Sequence, residues 1–304
     1  MPSHVNPNLL INDEVAAALR ENRPIVALES TIISHGLPRP RNLEMAREFE
    51  AQVRRHGAVP ATIAMVGGKA CIGLSDEQLQ TIAFDESVVK VSVRELGTVA
   101  ARGGHGATTV AATSHLAAQA GIKVFATGGL GGVHRDAKET WDESADLPTI
   151  ATTPVTVVSA GVKSILDVPA TLERLETLGI PVATYRTNHF PGFYLTDSGY
   201  LVEWAADSAA EIAAAMRQRE LLGIHGGMVV ANPLPLDQQL DPTLHEQLLR
   251  SGLAAANEQG VRGKAVTPFL LEFFHRESQG ASLEVNVQVV LNNVALAAEI
   301  AANL

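Results

Sequence analysis

Two spacings of apolar residues alternate along this chain. Short continuous apolar runs occupy 24–28, 61–66, 88–92, 122–127, 155–160, 180–185 and 227–231. Runs of that length without internal alternation predict strands covered on both faces. Between them, apolar residues recur every three or four positions. The segment 42–56 places Ala46, Phe49 and Val53 on one helical stripe, with Asn42 expected as its N-cap and Gly57 as the residue just past its end. The segment 171–178 repeats this grammar with Leu172, Leu175 and Leu178 ahead of Gly179 and Pro181, and further helices are predicted at 110–120, 208–222, 243–259 and 286–302. Strands alternating with helices predict an α/β fold, a three-layer α/β/α sandwich around a largely parallel or mixed central sheet. No internal repeat or low-complexity linker divides the 304 residues, so 1–304 is expected to be a single domain with a helical lead-in at 1–23. The last 45 residues or so are mostly helical and are placed to close over a site.

Composition narrows the functional classes. With 46% hydrophobic and 18% charged residues the chain can bury a sizeable core. A net charge of −10 and 4% aromatics argue against nucleic acid or an anionic membrane as partner. The single cysteine, Cys71, excludes an internal disulfide framework and sits in the apolar stretch 70–74, where a buried inert thiol is expected. No stretch is read as approaching the roughly 18–20 apolar residues of a membrane span, and residues 1–14 lack the character of a secretory signal. A cytoplasmic protein is expected.

The densest chemistry follows the run 123–127. Four glycines, at 128, 129, 131 and 132, lead to His134 and Arg135, then Asp142 and Asp146. Glycines let backbone amides approach a ligand closely, and ligands of open α/β sheets sit beyond the carboxyl ends of the strands. Other polar residues share that position. Glu29 follows the first run, Lys90 interrupts the third, Lys163 follows the fifth, and Asn286 begins the last predicted helix. The turn 106–110 opens a helix, so Thr108, Thr109 and the amides there suit an anion, as do the amides of 128–132 and Arg135 or a lysine nearby. Each has a plainer reading: Glu29 and Lys90 as a buried ion pair, Lys163 as a solvated helix start, and Asp142–Asp146 as a solvated acidic loop. Against these, a lysine at a strand exit can serve as an amine nucleophile. Asp142 and Asp146, four apart, offer hard oxygens to Mn²⁺ or Mg²⁺ with retained waters. The glycines do not form GxGxxG, no P-loop occurs, and His35, His115, His189 and His225 show no ligand spacing and are read as ordinary polar residues.

The blocks ALESTIISHG (27–36), PATIA (60–64), GATTV (106–110), FATGGLGGVH (125–134), SADL (144–147), AGVKSILD (160–167) and TPFLL (267–271) occur in this order. Together they resemble the pseudouridine-5′-phosphate glycosidase family, also known as indigoidine-synthase-A-like proteins, from about residue 24 to the C-terminus. The resemblance implies reversible cleavage of the C–C bond between uracil C5 and C1′ of ribose 5-phosphate, a divalent metal (typically Mn²⁺) and a homotrimer. It implies that Lys163 is the nucleophile forming an imine-type adduct with C1′, Glu29 the proton donor and Asp142 the metal ligand. Lys90, Val110, Ser144, Ala145 and Asp146 fall on substrate contacts, and His134 and Asn286 on further site positions. Thr108, Thr109 and Gly131 join the substrate-binding set. A C–C glycosidic bond has no leaving oxygen, so the paired carboxylates of ordinary glycosidases do not suffice. An amine that captures C1′ and an acid that moves protons fit the task.

Three residues depart from the family's usual pattern: Glu143 for an aliphatic residue, Asp136 for glycine and Gly192 for alanine. None is a carried-over functional residue. A Schiff-base sugar-phosphate aldolase or isomerase using Lys163 is the alternative enzyme, and a non-enzymatic phosphometabolite-binding protein the alternative outside catalysis.

Overall fold

The computed structural model describes residues 9–304. The part of the expected lead-in at 1–8 lies outside the described residues. Eleven strands form the sheet: β1 (Leu9–Ile11), β2 (Ile25–Leu28), β3 (Val59–Val66), β4 (Lys69–Ile72), β5 (Val89–Val91), β6 (Gly106–Thr108), β7 (Val124–Ala126), β8 (Thr156–Ser159), β9 (Val182–Tyr185), β10 (Trp204–Ala206) and β11 (Met228–Ala231). The helices are α1 (Asp13–Arg20), α2 (Arg41–Arg55), α3 (Asp76–Phe84), α4 (Val93–Ala101), α5 (Val110–Ala120) and α6 (Ala137–Thr140). They continue with α7 (Asp146–Thr152), α8 (Val168–Thr177), α9 (Ala209–Leu221), α10 (Pro242–Glu258), α11 (Val266–Glu277) and α12 (Ala281–Ala302).

The sheet runs β1-β4-β3-β2-β7-β8-β11-β9-β10, with β6 on β3 and β5 on β6. Its pairings are parallel except β3 with β4 and β3 with β6. All seven predicted strands are present, and the architecture is the expected α/β/α sandwich. Alternate residues of the central strands feed two cores. Val26, Leu28, Val124, Ala126, Val158 and Val230 meet α2, α9 and α12. Ile25, Ala27, Phe125, Val157 and Val229 meet residues of α1, α5, α7 and α8. Each fully buried aliphatic or aromatic side chain contributes roughly 1.5–3 kcal/mol.

Four expectations need correction. The lead-in is not helical throughout: Leu9–Ile11 form strand β1, paired with β4, ahead of α1. Asn42 is not an N-cap: its buried amide donates to the carbonyls of Ile33 and Ala83, tying α2 to the segment before it and to α3. Helix α12 begins at Ala281, so Asn286 stands one turn inside it rather than at its start. That helix is also long and apolar enough to span a membrane by length and composition, contrary to the expectation from apolar runs. Its apolar side chains are nonetheless enclosed by α2, α9 and the sheet, which makes it the central helix of the core. Gly57 does close α2, at φ +79°, and Cys71 is buried, with burial pushing its thiol pKa up.

The register around β3 places the site. Its first half, Val59–Thr62, pairs in parallel with β2, whereas Ala64 and Met65 pair antiparallel with β6. The carboxyl ends of β2, β7 and β8 therefore meet the carboxyl ends of β5 and β6 coming from the opposite direction. The junction is stitched by hydrogen bonds. The Ser30 hydroxyl donates to the Ile63 carbonyl over 2.7 Å, and the Thr31 hydroxyl to the Ala107 carbonyl over 3.2 Å.

Candidate active site

Where those ends meet lies a cavity of about 630 Å³, within the usual range for small-molecule sites. Its wall includes Glu29, Lys90, Thr109, Val110, Gly131, His134, Asp142, Ser144, Ala145, Asp146, Lys163 and Asn286. The structure thus gathers the site residues named from the sequence except Thr108 and Arg135. The Thr108 side chain is fully buried outside the cavity, where its hydroxyl donates to the Ile63 carbonyl over 2.6 Å. It braces the β3–β6 junction and is not placed to touch a ligand.

Glu29 leaves β2 directly into the cavity, and Thr127 at the end of β7 donates its hydroxyl to Oε1 of Glu29. Burial pushes the Glu29 carboxyl pKa up. The Lys163 ammonium, the Thr127 hydroxyl and the Lys90 ammonium pull it back, while Asp146 adds to the rise. The sign for stability follows. A carboxyl whose folded pKa lies above its ordinary 4.5 stabilises the fold below that value, and this stability is lost as pH rises through the folded pKa. Glu29→Gln should therefore melt at about the wild-type temperature near pH 4 and a few degrees higher near pH 8, at roughly 2–4 °C per kcal/mol. A Tm difference that does not change between those pH values would contradict a strained carboxyl.

Lys163 is set by its loop. Its amide donates to the Leu130 carbonyl over 3.1 Å, and Leu130 donates to the Gly161 carbonyl over 2.9 Å. The next residues are clamped from behind. His245 Nε2 lies 2.8 Å from the Ser164 hydroxyl, and Arg135 donates to the carbonyls of Ser164 and Ile165 over 3.1 and 3.2 Å. Arg135, expected as an anion contact, is turned away from the cavity and holds the lysine loop. The lysine stem passes over Gly129, where an added Cβ would fall 3.3 Å from Lys163 Cγ and 2.7 Å from the Phe193 ring. Only glycine leaves room for both.

The glycine loop and the acidic segment lock together. Asp146 accepts from the amide of Ala111 over 2.9 Å with one oxygen and from the amide of Gly131 over 2.8 Å with the other. A Cβ on Gly131 would run into Ser144 and Asp146. Asp146 thus joins the first turn of α5 to the loop after β7, a placement favoured by the positive helix end. Glu143 accepts from Arg174 over 2.8 Å, so its additional charge is matched. Asp142 borders the cavity with Oδ2 3.9 Å from His134 Nδ1. Among the described residues no three His, Cys, Asp or Glu side chains gather as a metal cage. A single carboxylate with retained waters is an ordinary Mg²⁺ or Mn²⁺ mode, and Asp142 fits it.

Sequence reading missed four parts of the wall. The π-helical turn Ile32–Gly36 carries His35 into the cavity; such turns cluster at functional sites. Burial, with Lys90 and Arg39 nearby, pushes the His35 pKa down. Phe193, at φ +63°, packs its ring against Gly129. Arg94 and Arg262 stand at the rim, the latter just ahead of α11, whose Thr267, Pro268 and Leu271 cover one side. That cover matches the expectation that the C-terminal helices close over the site.

Residues 14–303 match the family model described as indigoidine synthase A like protein. A protein of Salinispora tropica named pseudouridine-5′-phosphate glycosidase is 61% identical over 95% of this chain and 89% of its own length. One of the same name from Caldanaerobacter subterraneus is 49% identical over 97% and 96%. Among solved structures, the prealnumycin C-glycosynthase bound to ribulose 5-phosphate superposes with a TM-score of 0.89 at 38% identity, covering 97% of this chain and 96% of that one. An indigoidine synthase A-like protein of Thermotoga maritima gives 0.88 at 35% identity, covering 98% of each.

Proposed function

The chain belongs to the indigoidine synthase A-like family, and from that membership we propose that it is a pseudouridine-5′-phosphate glycosidase acting in the cytoplasm. The observation that carries the reading is the meeting of one amine, Lys163, and one acid, Glu29, on the wall of the same cavity, where Lys163 is the strongest nearby charge on the Glu29 carboxyl. The glycosidase names of the relatives and the phosphosugar held by the C-glycosynthase support it. No comparable support exists for an aldolase, an isomerase or a mere binding protein.

Once the Lys163 ammonium has given up a proton to solvent, its amine attacks C1′, the C1′–O4′ bond breaks, and Glu29 delivers a proton to O4′. The adduct nitrogen passes the proton it now carries to the ionised Glu29, which can return it to uracil C5, and the freed lone pair then forms a C1′=N bond while the C1′–C5 bond breaks towards uracil. Uracil C5 takes up a proton, and water hydrolyses the iminium to ribose 5-phosphate and free lysine. Phe193 and Gly129 fix the path of the lysine stem, and α11 limits water at the cavity mouth. Asp142 would hold Mn²⁺ or Mg²⁺, which supplies positive charge near the substrate when bound.

Incubation with pseudouridine 5′-phosphate and Mn²⁺ should release uracil, and exhaustive chelation should abolish release until Mn²⁺ or Mg²⁺ is returned. Asp142→Asn should need roughly 10- to 100-fold more metal. Mn²⁺ should also change the fluorescence of Trp141, the neighbour of Asp142, in wild type only. Absence of uracil would overturn the function, and full activity after chelation the metal role. A homotrimer belongs to the same reading. It is supported by exposed Leu201 and Trp204 beside edge strand β10, and a light-scattering mass of one chain would refute it.

A further inference from the structure

Behind the cavity wall, one buried polar chain has no part in the steps above. Asn293 sits in the otherwise apolar middle of α12, is 1% exposed, and lies two helical turns beyond Asn286 on the same face. Its Nδ2 donates to the Thr127 carbonyl over 2.7 Å and reaches the Gly128 carbonyl at 3.3 Å, while its Oδ1 accepts from Asn232 over 3.1 Å. Asn232 is itself fixed, its amide donating to the Ser159 carbonyl over 2.8 Å. Thr127 also donates its own amide to the Val158 carbonyl over 3.0 Å. The backbone of Thr127 is therefore held from α12 and from β8, and its hydroxyl is left one acceptor, Glu29 Oε1. Burying an amide in an aliphatic helix is unfavourable unless its groups are paired, and valine at 293 would serve packing as well. Both donor contacts of that amide fall on the exit of β7, which points to a need for that exit to be rigid.

We propose that Thr127, held by Asn293, is a positioning residue that fixes the orientation of the Glu29 carboxyl and the pH at which it gives up its proton; this rests on the proton-donor role given to Glu29 above. Thr127 does not line the cavity, so it acts through Glu29 rather than on substrate. A hydroxyl donating to a carboxylate favours the charged form. The other charged groups acting on Glu29 are Lys163 after β8, Lys90 on β5 and Asp146 at the start of α7. None of them is altered by a change at Thr127. Removing the hydroxyl must therefore raise the pH at which Glu29 ionises and free the carboxyl to rotate.

The test is the pH profile of uracil release by Thr127→Val, a substitution of equal shape. The limb governed by loss of the Glu29 proton should move up by about one pH unit, and kcat at neutral pH should fall roughly 10- to 100-fold with KM little changed. Thr127→Ser, which keeps the hydroxyl, should restore both. Thr127→Cys, a weak donor of similar size, should fall between and serves if the valine variant does not fold. The infrared carbonyl stretch of the protonated Glu29 carboxyl, identified by its loss in Glu29→Gln, should titrate with the same upward shift. That readout needs no turnover, so a wild type that released no uracil would sink the glycosidase reading and still leave the hydrogen bond tested. A profile and infrared midpoint that superpose on wild type, or a serine variant as impaired as the valine one, would overturn the proposal.

Discussion

Lys163→Ala should leave a folded protein whose release of uracil is roughly 10⁴- to 10⁶-fold slower, the scale of loss when a covalent nucleophile is removed. The fold should survive because the loop is held by backbone and neighbour contacts: the Lys163 amide on Leu130, His245 on Ser164, and Arg135 on two carbonyls. None of these uses the ammonium group. Lys163→Arg should be as inactive as the alanine variant. A guanidinium remains protonated and offers no lone pair to C1′, although it restores charge beside Glu29. The pair of variants separates two roles for the same cation. A lysine that merely neutralised the substrate or the acid would be largely replaced by arginine. Borohydride added during turnover should attach the ribose phosphate to wild-type protein at Lys163 and to neither variant. Near-normal turnover in either variant, or reductive labelling of a different lysine, would remove the imine mechanism.

The charged part of the candidate site is legible because its members lie on or just past short strands, positions that apolar runs mark directly. Glu29, Lys90 and Lys163 each follow or interrupt such a run, and the cavity gathers all three. What escaped lies where geometry depends on partners distant in sequence. Gly67–Gly68 carried a local signal for the β3–β4 hairpin, two glycines at φ +57° and +76° between flanking strands, yet β4 was not read as a strand. The short strand β6 reads as a turn opening a helix because Gly106, Ala107 and Thr108 carry little apolar signal, and only pairing with β3 and β5 makes it extended. Its antiparallel approach buries Thr108 and leaves Thr109 facing the cavity, a distinction of one residue that spacing did not resolve. Arg135 misled because cations beside glycine loops suggest anions, whereas here the nearest unpaired acceptors are the carbonyls behind Lys163. Phe193 sits in a loop, in a conformation unusual for an aromatic residue, and its partner Gly129 is 64 positions away.

Pseudouridine without its phosphate should be a poor substrate, by roughly two to four orders of magnitude in kcat/KM. At a net charge of −10 the protein as a whole repels an anion, so the attraction must be local. With Arg135 committed elsewhere, the remaining cations on the cavity wall are Lys90, Arg94, Lys163 and Arg262. Thr109 adds the most specific sign. It is the residue from which α5 starts, it lines the cavity, and its hydroxyl oxygen is buried without a hydrogen-bond partner among the described residues. Such a group is costly unless a ligand completes it, and a helix N-terminus is where a phosphate is best completed. Charged hydrogen bonds contribute roughly 1.5–3 kcal/mol each, so losing two gives the stated range. Thr109→Val should lower kcat/KM for the nucleotide roughly 10- to 100-fold and leave the weak activity on the nucleoside unchanged, because the missing contact is to the phosphate alone. Equal kcat/KM for nucleoside and nucleotide would show that no phosphate site exists at this helix end. An equal loss on both substrates would place Thr109 against the sugar or the base instead.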